Sequence, residues 1–174
     1  YAAGVNYQQD EGFRTNSLSW SYNAHSSLGI FLNETDALTL RVSAGEGYDQ
    51  LPGPLSFAEY RDEPRQSRRD GLDFTRADHA SLLSRWSGER GWGRMQLNAG
   101  VNWRDLEWQL GSAMAVNEQY GYSLAPRFTF GQMSGNMLTT GMDVRYDTLG
   151  FDGDRPNDEN RADFNRLTVG PYVW

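Results

Sequence analysis

Five residues with the chemistry to bind an anion lie close together in a proline-rich segment: Tyr60, Arg61, Arg65, Arg68 and Arg69. Because a guanidinium can bond a carboxylate through two parallel hydrogen bonds, they form a candidate ligand-binding site for an anionic compound such as an iron chelate. The same charges would also suit lipopolysaccharide phosphates. The alternative is a merely solvated segment in which nearby acids neutralise the arginines: Glu59, Asp62, Glu63 and Asp70.

A second candidate is an acidic segment near the C-terminus, with carboxylates at Asp152, Asp154, Asp158, Glu159 and Asp163. Carboxylate oxygens are the ligands that calcium prefers, but the order D-G-D-R-P-N does not fit an EF-hand, so a hydrated loop is the alternative. His25 and His79 stand apart, without the three or four converging ligands that a metal site needs. They are interpreted as polar strand residues, and no metal is predicted.

A third group consists of arginines on the polar sides of the predicted strands: Arg41, Arg104, Arg127 and Arg145. In a barrel they would face the lumen and pair with carboxylates such as Asp143 and Asp147. The chain shows no nucleophile and base at a recognisable spacing and no glycine-rich phosphate loop, so it is not predicted to be an enzyme. It has no cysteine, which excludes disulfides and thiolate metal sites, and no cofactor is predicted.

The elements that position these residues are β-strands, because apolar and polar residues alternate along most of the chain. In the clearest segment Met95, Leu97, Ala99, Val101 and Trp103 alternate with polar residues or glycine. Aromatic residues make up 13% of the chain, yet its mean hydropathy is −0.71. That combination is typical of a transmembrane β-barrel with aromatic girdles at both interfaces. The predicted girdle residues are Trp20, Trp86, Trp103, Trp108, Tyr120, Tyr122 and Tyr146.

The connections between the predicted strands alternate in length. Short turns lie near Asn33, Gly88 and Ser134, whereas long polar segments are predicted after strands three, five and seven, the last two at about Asp105–Glu118 and Phe151–Asp163. This arrangement predicts an all-β fold: an antiparallel up-and-down transmembrane β-barrel segment of about eight strands, with short periplasmic turns and long extracellular loops. The expected location is the bacterial outer membrane, in contact with lipid and lipopolysaccharide. The net charge of −7 argues against a nucleic-acid partner.

Two segments resemble TonB-dependent outer-membrane receptors. GFRTNS at Gly12–Ser17 is similar to a G-aromatic-R-x-N-S hairpin of that family, and LPGPLSFAEYRDEPRQS at Leu51–Ser67 resembles an extracellular loop of a subset of it. The resemblance implies a barrel of about twenty-two strands with a plugged lumen. It also implies active uptake of a scarce ligand, such as a ferric siderophore or cobalamin, coupled to the TonB system.

The chain has about eight predicted strands and neither a plug domain nor a TonB box. Residues 1–174 are therefore interpreted as a partial barrel domain, an interior slice of such a receptor, with TonB acting through regions absent from this chain. One alternative is a complete eight-stranded outer-membrane barrel with a structural or adhesion role. Another is a soluble β-sandwich that binds a sugar or a protein.

Overall fold

The structure, a computed structural model, describes residues 1–67, 73–133, 136–155 and 158–174. Eight strands form one antiparallel sheet in sequence order, which confirms the predicted all-β, up-and-down architecture. In that described part, β1 and β8 do not pair, so the sheet is open, and no helix is long and apolar enough to cross a membrane. The elements are β1 (Ala2–Asp10), β2 (Ser19–Phe31), β3 (Asp36–Gln50), α1 (Phe57–Asp62), β4 (Phe74–Arg90), β5 (Gly93–Leu110), β6 (Ala113–Met133), β7 (Asn136–Arg155) and β8 (Asp158–Val173).

The sheet has one apolar and one polar face, as the alternation predicts. On the apolar face, Val42, Leu82 and Val101 are direct cross-strand partners, yet they remain 50%, 48% and 42% exposed. Among the residues described, Ala115 is the one apolar residue that is buried. All the described strands belong to one sheet, so they do not supply the two facing sheets that a sandwich needs. The sheet therefore rests on its backbone ladder and cross-strand pairs, and its apolar face is uncovered.

Two connections are shorter than the sequence predicts. The long loop expected at about Asp105–Glu118 is wrong: β5 and β6 continue through it and pair up to Leu110 and Ala113, with Gly111 in the turn at a φ of +63°. The expected loop at Phe151–Asp163 is also wrong in large part, since β7 runs to Arg155 and β8 begins at Asp158. From Asp105 to Leu110 polar and apolar residues still alternate, but with reversed phase, so that the polar residues lie on the face that is apolar earlier in β5. The sequence of the second segment is polar almost throughout, so it lacks the alternation that marks a strand.

Asp73 joins three segments at the end of the sheet that contains the β5–β6 turn. Its side chain is 2% exposed, and its Oδ1 accepts a 2.6 Å hydrogen bond from the Gly111 backbone N–H. Its carbonyl oxygen accepts a second hydrogen bond from Leu51, at 2.9 Å. One residue thus ties the end of β3, the start of β4 and the β5–β6 turn together.

Replacing Asp73 with alanine is expected to lower the free energy of unfolding by about 2 kcal/mol, because the Gly111 N–H loses its acceptor. The measurement is a urea titration of the folded protein. Asp49→Ala is the matched control, since Asp49 is an exposed carboxylate at the same end of the sheet. Equal effects of the two substitutions would contradict the linking role of Asp73.

Candidate functional site: two docked loops

The two segments singled out in the sequence lie against each other at the end of the sheet where β1–β2 and β3–β4 connect. We call residues 11–18 and 51–67 the two-loop unit. Arg14 holds it together through three backbone carbonyls: its Nη1 donates to Gly53 at 2.7 Å, its Nη2 to Pro52 at 3.3 Å and its Nε to Gln66 at 3.0 Å. The Thr15 N–H donates to the Arg65 carbonyl at 2.8 Å.

The first loop is ordered by its own hydrogen bonds. Gly12 adopts a φ of +65°, which glycine takes without strain, and its N–H donates to Asp10 Oδ1 at 2.7 Å. The Ser17 hydroxyl accepts from the Arg14 N–H at 3.2 Å and also bonds the Arg14 carbonyl. Arg14 is therefore fixed on both sides of its own Cα before its side chain reaches the second loop.

The second loop contains α1, a short helix that the strand-based interpretation of the sequence missed. Ser56 caps it: the hydroxyl accepts from the Glu59 N–H at 3.4 Å, and the Glu59 carboxylate accepts from the Ser56 N–H at 2.7 Å. This S-x-x-E capping box was the signal that predicts a helix start here. The loop closes on itself where Gln66 Nε2 donates to the Glu59 carbonyl at 3.0 Å.

The described candidate ligand residues all stand on the outside of the two-loop unit. Tyr60 lies on α1 and is 60% exposed, and Arg61 is exposed in the last turn of the same helix. The Arg65 guanidinium lies 5.0 Å from the centre of the Phe13 ring, a cation–π contact between the loops. Arg68 and Arg69 lie outside the described residues.

The pairing of Arg61 and Arg65 tests the alternative in which nearby acids neutralise the arginines of this segment. Within the described part of the chain, neither Arg61 nor Arg65 pairs with a carboxylate, and Glu59 is engaged in the helix cap. Neutralisation of these two arginines by their acidic neighbours is thus not observed there. The unit presents two exposed guanidiniums beside exposed aromatic rings, which is the arrangement that suits an anionic ligand.

The four arginines predicted to face a lumen all lie on the polar face. Arg41 and Arg145 lie in one row of cross-strand partners, whose other members are Leu83, Gly100 and Ser123. Arg104 follows Gly100 by four positions and Arg127 follows Ser123 by four, so both point to the same face as that row. Arg145 pairs with Asp147 at 2.9 Å, as expected. Arg127 instead donates to the Tyr172 hydroxyl at 3.1 Å. Whether this face borders a lumen stays a prediction.

Aromatic residues collect toward both ends of the apolar face. At the loop end Tyr48 stacks between Trp20 and Phe74, with ring centres 5.9 and 5.6 Å apart. At the other end Trp92 packs on Phe128 and Phe130, at 6.4 and 5.4 Å. The prediction that Trp108 belongs to the girdle is wrong, because its pairing with Thr75 and Ala115 puts it on the polar face.

Metal ligation finds no support in the residues that the structure describes, where no three His, Asp or Glu residues converge. His25 and His79 lie on the polar face, each over a cross-strand glycine. Of the acidic C-terminal group, only the side chains of Asp152 and Asp163 are described. Calcium binding there stays a prediction.

Arg14 is the residue that the sequence analysis missed. It stands inside the quoted GFRTNS segment, but nothing in the sequence pairs it with carbonyls 38 to 52 residues away. Only the sheet register, which brings the β1–β2 and β3–β4 connections side by side, makes that pairing visible. The site is thus a loop surface held by an arginine.

We compared the sequence and the structure of the chain with those of known proteins. No family model and no curated protein matches the sequence. Among solved structures, the chain is similar to the ferric citrate transporter FecA in its unliganded form, with a TM-score of 0.66 and 11% sequence identity. The likeness covers 98% of this chain and 30% of that one, so the chain spans about 30% of the length of the structure it matches. It shows a β-barrel fold.

Proposed function

We propose that this chain is part of the wall of an outer-membrane active transporter, a TonB-dependent receptor that takes up a scarce ligand such as a ferric chelate or a cofactor. One observation carries the proposal: a sheet like that of a ferric citrate transporter leaves an entire apolar face uncovered. Exposed apolar surface of this extent is unfavourable in water and favourable against lipid. Transport rather than catalysis is the proposed role.

The spacing of the aromatic residues supports a membrane on that face. On β6, Phe130 and Tyr120 lie on the apolar face ten residues apart. Ten residues of strand span about 33 Å, and a tilt of about 45° reduces this to about 23 Å along the membrane normal. That matches the apolar band of about 25 Å between the girdles of outer-membrane barrels.

We place the two-loop unit on the extracellular side, because the two longest connections of the chain, β1–β2 and β3–β4, lie at this end of the sheet. There it would meet the ligand before transport. Arg61 and Arg65 supply positive charge, and Tyr60, Phe57 and Phe13 supply exposed aromatic surface. An anionic metal chelate has negative charge that could pair with the arginines and ligand groups that could pack against the aromatic rings. Lipopolysaccharide and lipid would contact the apolar face, and the TonB system would act through regions beyond these residues.

Uptake by cells tests the proposal. The full-length receptor is expressed in a Gram-negative host that lacks its own ferric-chelate receptors, and uptake of radioactive iron is followed from ferric citrate, a ferric trihydroxamate and a ferric tricatecholate. Saturable uptake of at least one probe is expected, and it should stop when a protonophore or deletion of TonB removes the energy supply. Uptake of none of the three probes would overturn the transport of iron chelates.

A further inference from the structure

The contacts of Arg14 go beyond what a loop needs in order to rest on its neighbour. Its three hydrogen bonds reach both ends of the second loop, at Pro52 and Gly53 on one side and at Gln66 on the other. A guanidinium suits this task because its donors form a rigid planar fork. All three acceptors are backbone carbonyls, so the fork holds the path of the loop whatever side chains the loop carries.

Between the described residues of the two loops there are two further links. They are the hydrogen bond from Thr15 to the Arg65 carbonyl at 2.8 Å and the contact of Arg65 with the Phe13 ring. Both act near one end of the second loop. Of the described contacts between the loops, those of Arg14 reach the segment around Pro52 and Gly53, where the chain leaves β3. Within the second loop, the Ser67 hydroxyl also donates to the Pro52 carbonyl, at 3.2 Å.

The residues that this path presents have little else to hold them. Phe57 and Tyr60 are 81% and 60% exposed, and α1 has no buried residue. A helix of six residues is not stable by itself. The orientation of Tyr60 and Arg61 therefore depends on the closed path of the loop and not on packing against the sheet.

We propose that Arg14 is a positioning residue for ligand binding: it holds residues 51–67 in the conformation that presents Tyr60 and Arg61 to an anionic ligand. The proposal rests on the proposed function, since it assumes that this loop meets the ligand. Fixing a loop beforehand reduces the ordering that binding requires. Arg14 acts through the loop and does not itself touch the ligand.

The test uses the full-length receptor in cells, with whichever of the three ferric probes above it takes up. Arg14→Gln removes the fork, Arg14→Lys keeps the charge but not the fork, and Arg61→Ala removes a proposed ligand contact. Arg94→Gln is the matched control, because Arg94 forms an exposed ion pair with Glu89 at the other end of the sheet. For each variant, the KM and maximal rate of iron uptake are measured, together with the rate at which trypsin cleaves after Arg61 or, in the Arg61 variant, after Arg65.

For Arg14→Gln we expect trypsin cleavage and KM each to rise about tenfold, with an unchanged maximal rate, because loop opening and not the transport step is altered. Arg14→Lys should behave like Arg14→Gln, since one ammonium cannot bond carbonyls at both loop ends. Arg61→Ala should raise KM without faster cleavage, and Arg94→Gln should change neither. If Arg14→Gln does not reach the cell surface, Ser17→Ala, which loosens the Arg14 backbone, takes its place with the same expected result.

The outcomes separate the two proposals. If Arg61→Ala raises KM while Arg14→Gln leaves cleavage and KM unchanged, or if Arg14→Lys behaves as wild type, the positioning role is overturned and the ligand site survives. If Arg14→Gln accelerates cleavage while neither it nor Arg61→Ala changes KM, the loop does not meet the ligand. The positioning role of Arg14 and the ligand site on this loop are then both overturned. If none of the probes is taken up, the transport of iron chelates is overturned, and with it the role of Arg14 in binding such a ligand.

Discussion

Replacing Gly93 with alanine is expected to lower the free energy of unfolding by about 3 kcal/mol or more. Gly93 opens β5 at a φ of +147°, a conformation that side-chain-bearing residues rarely adopt. A Cβ placed there would lie 2.9 Å from the Gly131 nitrogen and 3.0 Å from the Phe130 Cα, and closer still to the Thr129 carbonyl oxygen.

All three obstacles are backbone atoms of the paired strand β6, so no side chain can rotate out of the way. Relief requires β5 and β6 to separate next to the turn, where the Gly131 N–H bonds the Trp92 carbonyl at 2.9 Å. Strain and a lost ladder hydrogen bond therefore add.

Gly91 provides the control, because it belongs to the same turn and a Cβ there would meet nothing within 4 Å. Both alanine variants of the full-length protein are unfolded with urea in detergent micelles, and their midpoints and slopes are compared. Gly91→Ala should stay within about 0.5 kcal/mol of wild type. Two variants of equal stability would mean that the turn is not built as described.

Much of this fold follows from period-two alternation. All eight strands are predicted because apolar residues such as Leu97 and Val101 recur on one face of the sheet. The prediction fails past the apolar band. There Asp105 and Glu118 are direct partners on the continuation of the apolar face, and Glu118 accepts hydrogen bonds from Trp103 and Tyr120 at 3.1 and 2.7 Å. From Asp105 to Leu110 the period of two continues with its phase reversed, so the polar residues lie on the formerly apolar face while the ladder continues.

The candidate site divides in the same way. The charges of the second loop and its capping box can be seen in the sequence, because the interacting residues Ser56 and Glu59 are three positions apart. The docking of the two loops cannot be seen in the sequence, since nothing in the residues around Arg14 distinguishes it from an arginine exposed to solvent. Its partners are carbonyls, which every residue has, and they become specific only through the register of β2 with β3.

Glycines on the polar face show another consequence of register. Large polar or aromatic side chains lie across cross-strand glycines: His25 over Gly4, His79 over Gly45, and Tyr172 over Gly141. Each such pair lets a long side chain lie flat on the sheet. This gives the two histidines a packing role that the sequence could not reveal, because it does not contain the strand pairing.

Gly45 is closely surrounded in this arrangement, and Gly45→Ala is expected to lower the free energy of unfolding by about 2–4 kcal/mol. A Cβ there would lie 2.5 Å from the Tyr22 carbonyl oxygen, 2.6 Å from Asn23 Oδ1 and 2.7 Å from His79 Cε1. His79 and Asn23 can rotate away, but the Tyr22 carbonyl belongs to the β2–β3 ladder and cannot.

Gly29 separates this clash from the intrinsic effect of adding a methyl group to a strand. It lies on the same face of the adjacent strand β2, and a Cβ there would meet nothing within 4 Å. Because alanine restricts the unfolded chain more than glycine does, Gly29→Ala should be neutral or stabilise the protein by up to about 1 kcal/mol. The two substitutions, measured by the same urea titration, should thus have effects of opposite sign or nearly so. If Gly45→Ala were as harmless as Gly29→Ala, the Tyr22 carbonyl would not lie against Gly45, and the close approach of β2 and β3 at this position would have to be abandoned.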